Sequence, residues 1–140
     1  MLAGWLIAIL LATPSPVLSP LIPIAHAEEK VWTEEMVKEL ARDTAKEYGL
    51  HTQKFLHTLN CENLFRAKGQ SEHINEKGER EMSFGAAQIH IPSHSTISQE
   101  QAEDPEFAIK WMAEKWSKGD AYLWSCWLRY TAEGWPEYRL

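Results

Sequence analysis

The sequence predicts a compact, mostly α-helical domain, and two observations lead to this fold class. Apolar residues recur at helical spacing in several segments between residues 33 and 127, and helix-capping residues precede most of these segments. Residues 66–82 break the pattern with turn-forming residues. We expect this long stretch to be an irregular loop or a small hairpin that forms one wall of a cleft.

The first helix is predicted to run from Thr33, a suitable N-cap, to about Tyr48, with Gly49 ending it. A second helix should begin near Thr52 and reach Glu62. Its inward-facing residues are Phe55, Leu56 and Leu59. The connection between the two helices is short, so we expect them to be neighbours.

Two further helix starts follow the loop. The segment from Ser98 to Gln101 has the form of a capping box, and Asp104 precedes a proline at a first helical position. The second of these helices should end near Gly119 and place Trp111 in the core. Residues 121–127 predict a last aromatic helix or half-helix, with Trp124 and Trp127 assigned equally to core or groove. A frayed tail is expected at the C terminus.

Residues 1–27 are expected to be a signal peptide ahead of a domain spanning residues 28–140. Residues 2–12 form an apolar run too short to span a bilayer, and Ala25 and Ala27 fit a signal-peptidase site. No Lys or Arg precedes the run, so an uncleaved anchor is the alternative and would be the chain's contact with a membrane. We expect the domain to be exported to the periplasm, the cell wall or the extracellular space.

The composition limits the kinds of partner and ligand that the domain is expected to bind. The net charge is −6, which argues against a nucleic-acid partner but not against a glycan. Because Pro92 separates His90 from His94, a helical metal pair is not expected, and we predict no metal and no cofactor. The two cysteines, Cys61 and Cys126, predict one disulfide in an exported domain. Two unpaired buried thiols are the alternative.

Glu62 is the candidate catalytic residue. A carboxylate at the end of an apolar helix is paired, directed into a cleft, or costly to bury. An ordinary surface carboxylate at a helix end is the alternative. After the loop, Gly85, Ala86 and Ala87 allow close approach to the backbone, and Gln88 offers an amide.

Taken in order, Glu62, the stretch Ser83–Ile89 and the segment Gln101–Ile109 resemble the lytic transglycosylase domains of the soluble lytic transglycosylase family, which have a goose-type-lysozyme-like fold. The resemblance implies a lysozyme-like monomer that acts on peptidoglycan glycan strands. Glu62 would serve as acid and then base in cleaving the bond from N-acetylmuramic acid to N-acetylglucosamine, with 1,6-anhydro products. It also implies a set of substrate-binding residues: Asn63, Ser83, Phe84, Gly85 and Gln88.

The chain departs from the family pattern in three places. Asn63 replaces the usual serine after the glutamate, Ala86 and Ala87 replace larger residues, and the family's alanine-tyrosine-asparagine stretch is absent. The smaller pair would open that wall of the groove. A bridge from Cys61 to Cys126 would set the last aromatic segment beside Glu62 in place of the missing stretch.

Two other functions therefore stay open. One is a hydrolytic lysozyme that uses a second acid, and the other is a non-catalytic peptidoglycan-binding module. The acids available for the first are Glu72, Glu76, Glu79, Glu81 and Asp120. Ordinary glycosidases place a second carboxylate opposite the acid.

Overall fold

The computed structural model describes residues 30–140, so the predicted leader of residues 1–27 lies outside the described residues. This part of the chain is mostly helical, as predicted. Its α-helices are α1 (Glu34–Glu47), α2 (Thr52–Asn63), α3 (Gln99–Ala102), α4 (Pro105–Ser117) and α5 (Ser125–Glu133). Within residues 30–140, no helix has the length and apolar character needed to cross a membrane.

The first two helices confirm the predicted boundaries. Thr33 caps α1 by accepting a hydrogen bond from the Met36 amide at 3.2 Å. The helix ends at Glu47, before Gly49. Helix α2 ends where Leu64 takes a left-handed conformation, with φ of 52°. Glu62 thus lies in the last turn of α2.

The predicted caps of the later helices are also confirmed. Ser98 and Gln101 form a reciprocal capping box at α3, and Asp104 accepts a hydrogen bond from the Glu106 amide at α4. Helix α5 differs, because its N-cap residue is Trp124, which makes no side-chain capping bond. The start of α5 therefore needs a hydrogen-bond acceptor from elsewhere.

The core lies where α1, α2 and α4 pack together. Helix α1 contacts both α2 and α4, while α5 contacts α2. The largest apolar side chains with no more than 1% exposure are Val37, Phe55, Leu56, Leu59, Ile89, Ile109 and Met112. Full burial of each such side chain is worth about 1.5–3 kcal/mol, and this cluster fixes α2, and with it Glu62, against the rest of the domain.

The loop after α2 ends in a small sheet that the sequence did not reveal. Strand β1 (Ser83–Phe84) pairs in antiparallel register with β2 (Ile89–His90), around the tight turn 85–88. Strands of two residues are too short to show a period-2 pattern. Within the preceding loop, Ile74 pairs with Arg80, so the small hairpin that was predicted as an alternative is present.

Two predictions are wrong: the burial of Trp111 in the core and the fraying of the C-terminal tail. Trp111 is only partly buried, because it packs against the core with one part and lines a groove with another. The C-terminal tail is not frayed. The Leu140 amide donates to Gln53 at 3.1 Å, and the Tyr138 ring contacts His57 on α2 with ring centroids 4.9 Å apart.

Gly85 provides a test of how tightly the turn packs on α3. Its φ is +75°, and a Cβ added there would lie 1.7 Å from the Ala102 carbonyl oxygen. Gly78 has a similar φ of +78° but open space around it. We expect Gly78→Ala to cost about 1–2 kcal/mol of strain, and Gly85→Ala to cost clearly more because the backbone must also move. Urea unfolding of both variants measures the difference, and equal losses would contradict the packing described here.

Candidate active site

Glu62 opens into a groove of about 550 Å³ between the loop and sheet on one side and the α4–α5 region on the other. The loop contributes Ser71, His73 and Glu81 to this groove, and α4 contributes Trp111. The loop therefore forms one wall, as predicted. The side chain of Glu62 is partly buried, at the bottom of the last turn of α2.

One carboxylate oxygen of Glu62 supplies the missing cap of α5. Oε1 accepts a hydrogen bond from the Cys126 amide at 3.0 Å and lies 3.4 Å from the Ser125 hydroxyl. Both donors belong to the first turn of α5, where unpaired amides and the helix dipole favour negative charge. The other oxygen, Oε2, accepts no hydrogen bond from the described residues, so it is available to a ligand.

The environment raises the pKa of the Glu62 carboxyl above its ordinary value. Burial is the largest cause, since it disfavours the charged form, and the negative charge of Glu81 adds to it. The Cys126 amide, the Ser125 hydroxyl and Arg129 act in the opposite direction but do not outweigh burial. A carboxyl group that is protonated more readily than usual is suited to donate a proton.

The predicted disulfide between Cys61 and Cys126 is confirmed. It joins the residue before Glu62 on α2 to the residue of α5 whose amide Glu62 accepts. The Cα atoms are 6.0 Å apart, and the Arg129 guanidinium lies 2.8 Å from the Cys61 sulfur. The bridge therefore holds the donor and the acceptor of the capping bond together.

Glu81 is the second carboxylate in the groove. Ser83 donates a hydrogen bond to its Oε1 at 3.0 Å, and Ser71 donates one to its Oε2 at 3.2 Å. Its effect on the pKa of Glu62 shows that the two groups are electrostatically coupled. Two hydroxyl donors therefore hold the Glu81 side chain in place in the groove.

The tight turn 85–88 acts as a frame for the groove. Gln88 has a left-handed φ of 47°, and its side-chain amide donates to the Gly85 and Gly69 carbonyls at 2.9 and 3.2 Å. The Asn63 amide donates to the same Gly85 carbonyl at 3.0 Å and lies within hydrogen-bond distance of two loop carbonyls. These bonds tie the end of α2 to the loop.

The structure divides the predicted substrate-binding residues into two groups. Ser83 and Gln88 line the groove beside Glu62. Asn63, Phe84 and Gly85 do not line it. The Asn63 amide donates to backbone carbonyls, and Phe84 is 6% exposed in the core. At Gly85 the backbone of α3 leaves no room for a side chain. Their geometry assigns them to the frame.

Ala86 and Ala87 do not open the groove wall as expected. Both are completely buried, and the Trp124 indole N–H donates to the Ala87 carbonyl at 2.8 Å. The Trp124 ring contacts Trp111 with centroids 5.9 Å apart, and Trp111 contacts His94 at 4.8 Å. These three rings form an aromatic wall. Trp124, predicted equally for core or groove, belongs to both.

Several groove residues were not predicted as site residues. Glu81 was only one of five candidate acids, and Ser125 was not considered. Ser125 could have been found from the disulfide alone, since a bridge from Cys61 to Cys126 places the neighbour of one cysteine near the neighbour of the other. The described residues contain no cluster of three metal-binding side chains.

Comparisons with family models, with curated proteins and with solved structures give no match to this chain.

The disulfide provides a test of the capping bond. In Cys61→Ser/Cys126→Ser, we expect the free energy of unfolding to fall by about 4 kcal/mol, from the closed loop alone. The pKa of Glu62 should also rise further, because the Cys126 amide that lowers it would no longer be held in place. Urea unfolding and carboxyl NMR titration measure the two effects. A destabilised variant with an unchanged Glu62 pKa would show that the bridge does not position this donor.

Proposed function

We propose that this domain is a peptidoglycan lytic transglycosylase in which Glu62 is the acid and base. The observation that carries the proposal is the carboxyl of Glu62, held in a groove by the start of α5 and with its pKa raised by burial. The order of Glu62, the Ser83–Ile89 stretch and the Gln101–Ile109 segment supports the same family and its lysozyme-like fold.

The first step requires a proton on the leaving oxygen of the β-1,4 bond. The protonated carboxyl of Glu62 can donate it from Oε2, while Oε1 keeps its bonds to the start of α5. As Glu62 becomes negative, the Cys126 amide and the Ser125 hydroxyl stabilise the new charge. The same donors that keep the pKa from rising further therefore assist proton transfer.

The second step requires the same group as a base. The Glu62 carboxylate takes the proton of the 6-hydroxyl of the muramic acid residue, which attacks the anomeric carbon and closes the 1,6-anhydro ring. The bond to the leaving sugar has already broken in the first step, as its oxygen took the proton of Glu62, so C1–O6 replaces the broken bond and no water is consumed. The wall formed by Trp124, Trp111 and His94 offers ring faces and edges against which a sugar can pack.

Glu81 gives a specific reason to retain hydrolysis as the second candidate. It lies in the same groove, and two serine hydroxyls fix it. A carboxylate in this position could hold a water molecule for attack, as a second acid does in ordinary glycosidases. The product would then have a reducing end.

One experiment distinguishes these functions. Purified peptidoglycan is digested with the wild-type protein, Glu62→Gln, Glu81→Gln and Glu76→Gln, and the products are weighed by mass spectrometry. Anhydro products are lighter than reducing products by one water. We expect anhydro products from the wild type and a loss of activity of at least about 100-fold in Glu62→Gln, because general acid–base catalysis contributes about that much or more.

The other two variants separate the roles of the carboxylates. Glu76 is exposed at the loop tip and outside the groove lining, so Glu76→Gln should keep wild-type activity. Glu81→Gln should keep anhydro products with a smaller loss of rate. Reducing ends that disappear in Glu81→Gln would instead identify a lysozyme, and an unchanged rate in folded Glu62→Gln would exclude Glu62 as the acid.

A further inference from the structure

The groove has two chemically different ends. Glu62 and Glu81 form the acidic end. His90, the last residue of β2, and His94, four residues later, form what we call the histidine end. The aromatic wall joins the two ends, since Trp124 precedes the helix turn that Glu62 caps and Trp111 contacts both Trp124 and His94. The catalytic role proposed above uses the acidic end only.

His90 and His94 have ring nitrogens without a hydrogen-bond partner among the described residues. His90 uses Nδ1 in a hydrogen bond with the Ser93 hydroxyl at 2.7 Å, and its Nε2 has no partner among the described residues. Neither ring nitrogen of His94 makes a hydrogen bond within residues 30–140, although the ring is partly buried against Trp111. A polar ring held by packing but not by hydrogen bonds has N–H groups available for a ligand.

The charge around this end is positive. The Lys115 ammonium lies 5.6 Å from the Trp111 ring centroid, and none of the described carboxylates pairs with it. Burial lowers the pKa of His94, and the nearby charges of Lys115 and His90 lower it further. No carboxylate offsets this positive potential at His94. The titratable groups that face the groove are therefore Glu62 and Glu81 at one end and the histidines at the other, with His73 on the loop wall.

Imidazole donors and an aromatic ring line this end of the groove, and the Lys115 ammonium lies near them, outside the groove lining. This combination suits an anion with directional acceptors, which describes a carboxylate. In peptidoglycan, each muramic acid carries a stem peptide with free carboxylates, whereas the sugars of the strand itself are uncharged. We infer that the histidine end of the groove binds a carboxylate of the stem peptide on the muramic acid residue. This inference rests on the proposed function, and it makes the enzyme selective for strands that carry charged peptides.

The test measures binding separately from cleavage. Soluble peptidoglycan strands are used in native form and after conversion of the stem-peptide carboxylates to amides with carbodiimide and ammonia. The affinity of Glu62→Gln for both substrates is measured by calorimetry, since this variant should bind without turnover. We expect native strands to bind about 5–10-fold more tightly than amidated strands, because a charge-assisted hydrogen bond in a partly exposed groove is worth about that factor.

Further variants, each combined with Glu62→Gln, locate the effect. His94→Asn and Lys115→Met should each remove most of the preference for native strands. Two matched controls should keep it: Lys110→Met, which removes an exposed ammonium of the same helix, and His51→Asn, which replaces an exposed histidine at the N-cap of α2. Neither control residue lines the groove, and neither is among the charges that, like Lys115, lower the pKa of His94.

The outcomes separate the inference from the proposed function. Equal affinity of Glu62→Gln for native and amidated strands overturns the inference. A preference for native strands that survives in both His94→Asn and Lys115→Met also overturns it. If the preference behaves as expected but the protein with Glu62 intact releases no cleaved products, the inference holds and the proposed catalytic function fails.

Discussion

The hydrogen bond from the Cys126 amide to the Glu62 carboxylate is the contact on which the site depends. It supplies the capping acceptor that Trp124 cannot offer, so the start of α5 is fixed by a residue of α2. The disulfide from Cys61 to Cys126 joins the same two segments, and Cys61 is the residue next to Glu62. Once α5 is fixed, Trp124, the residue before it, donates to the Ala87 carbonyl of the turn and lines the groove.

Two opposing effects set the protonation of Glu62. Burial raises its pKa and dominates, while the start of α5 favours the charged form. The direction of this pKa shift affects the free energy of unfolding. Because the pKa of Glu62 in the folded protein lies above the unfolded value, protonation of Glu62 stabilises the fold. This contribution is complete below the unfolded pKa and is lost as the pH rises through the folded pKa. Above the folded pKa, the ionised group is therefore kept at a cost in stability, as is common at functional sites.

Local chemistry allowed much of the fold to be predicted from the sequence. The caps at Thr33, Ser98 and Asp104 have short-range signals, and the structure contains all three. The two-residue strands, the docked tail and the role of Trp111 depend on contacts between distant segments, which no local pattern encodes. Among the site residues, Glu62 could be selected because a carboxylate ending an apolar helix conflicts with its surroundings.

The other parts of the site have no such conflict. Glu81 is one acid among many on a polar loop, and only the fold brings it to the groove. Asn63 and Gly85 were given substrate roles from the resemblance, but their hydrogen bond belongs to the frame. The most direct test of the central claim is an NMR titration of the Glu62 carboxyl carbon in the wild-type protein, assigned with Glu62→Gln. We predict a pKa clearly above the ordinary glutamate value. A pKa at or below that value would mean that the start of α5 outweighs burial, and Glu62 would then be a structural cap and not the acid.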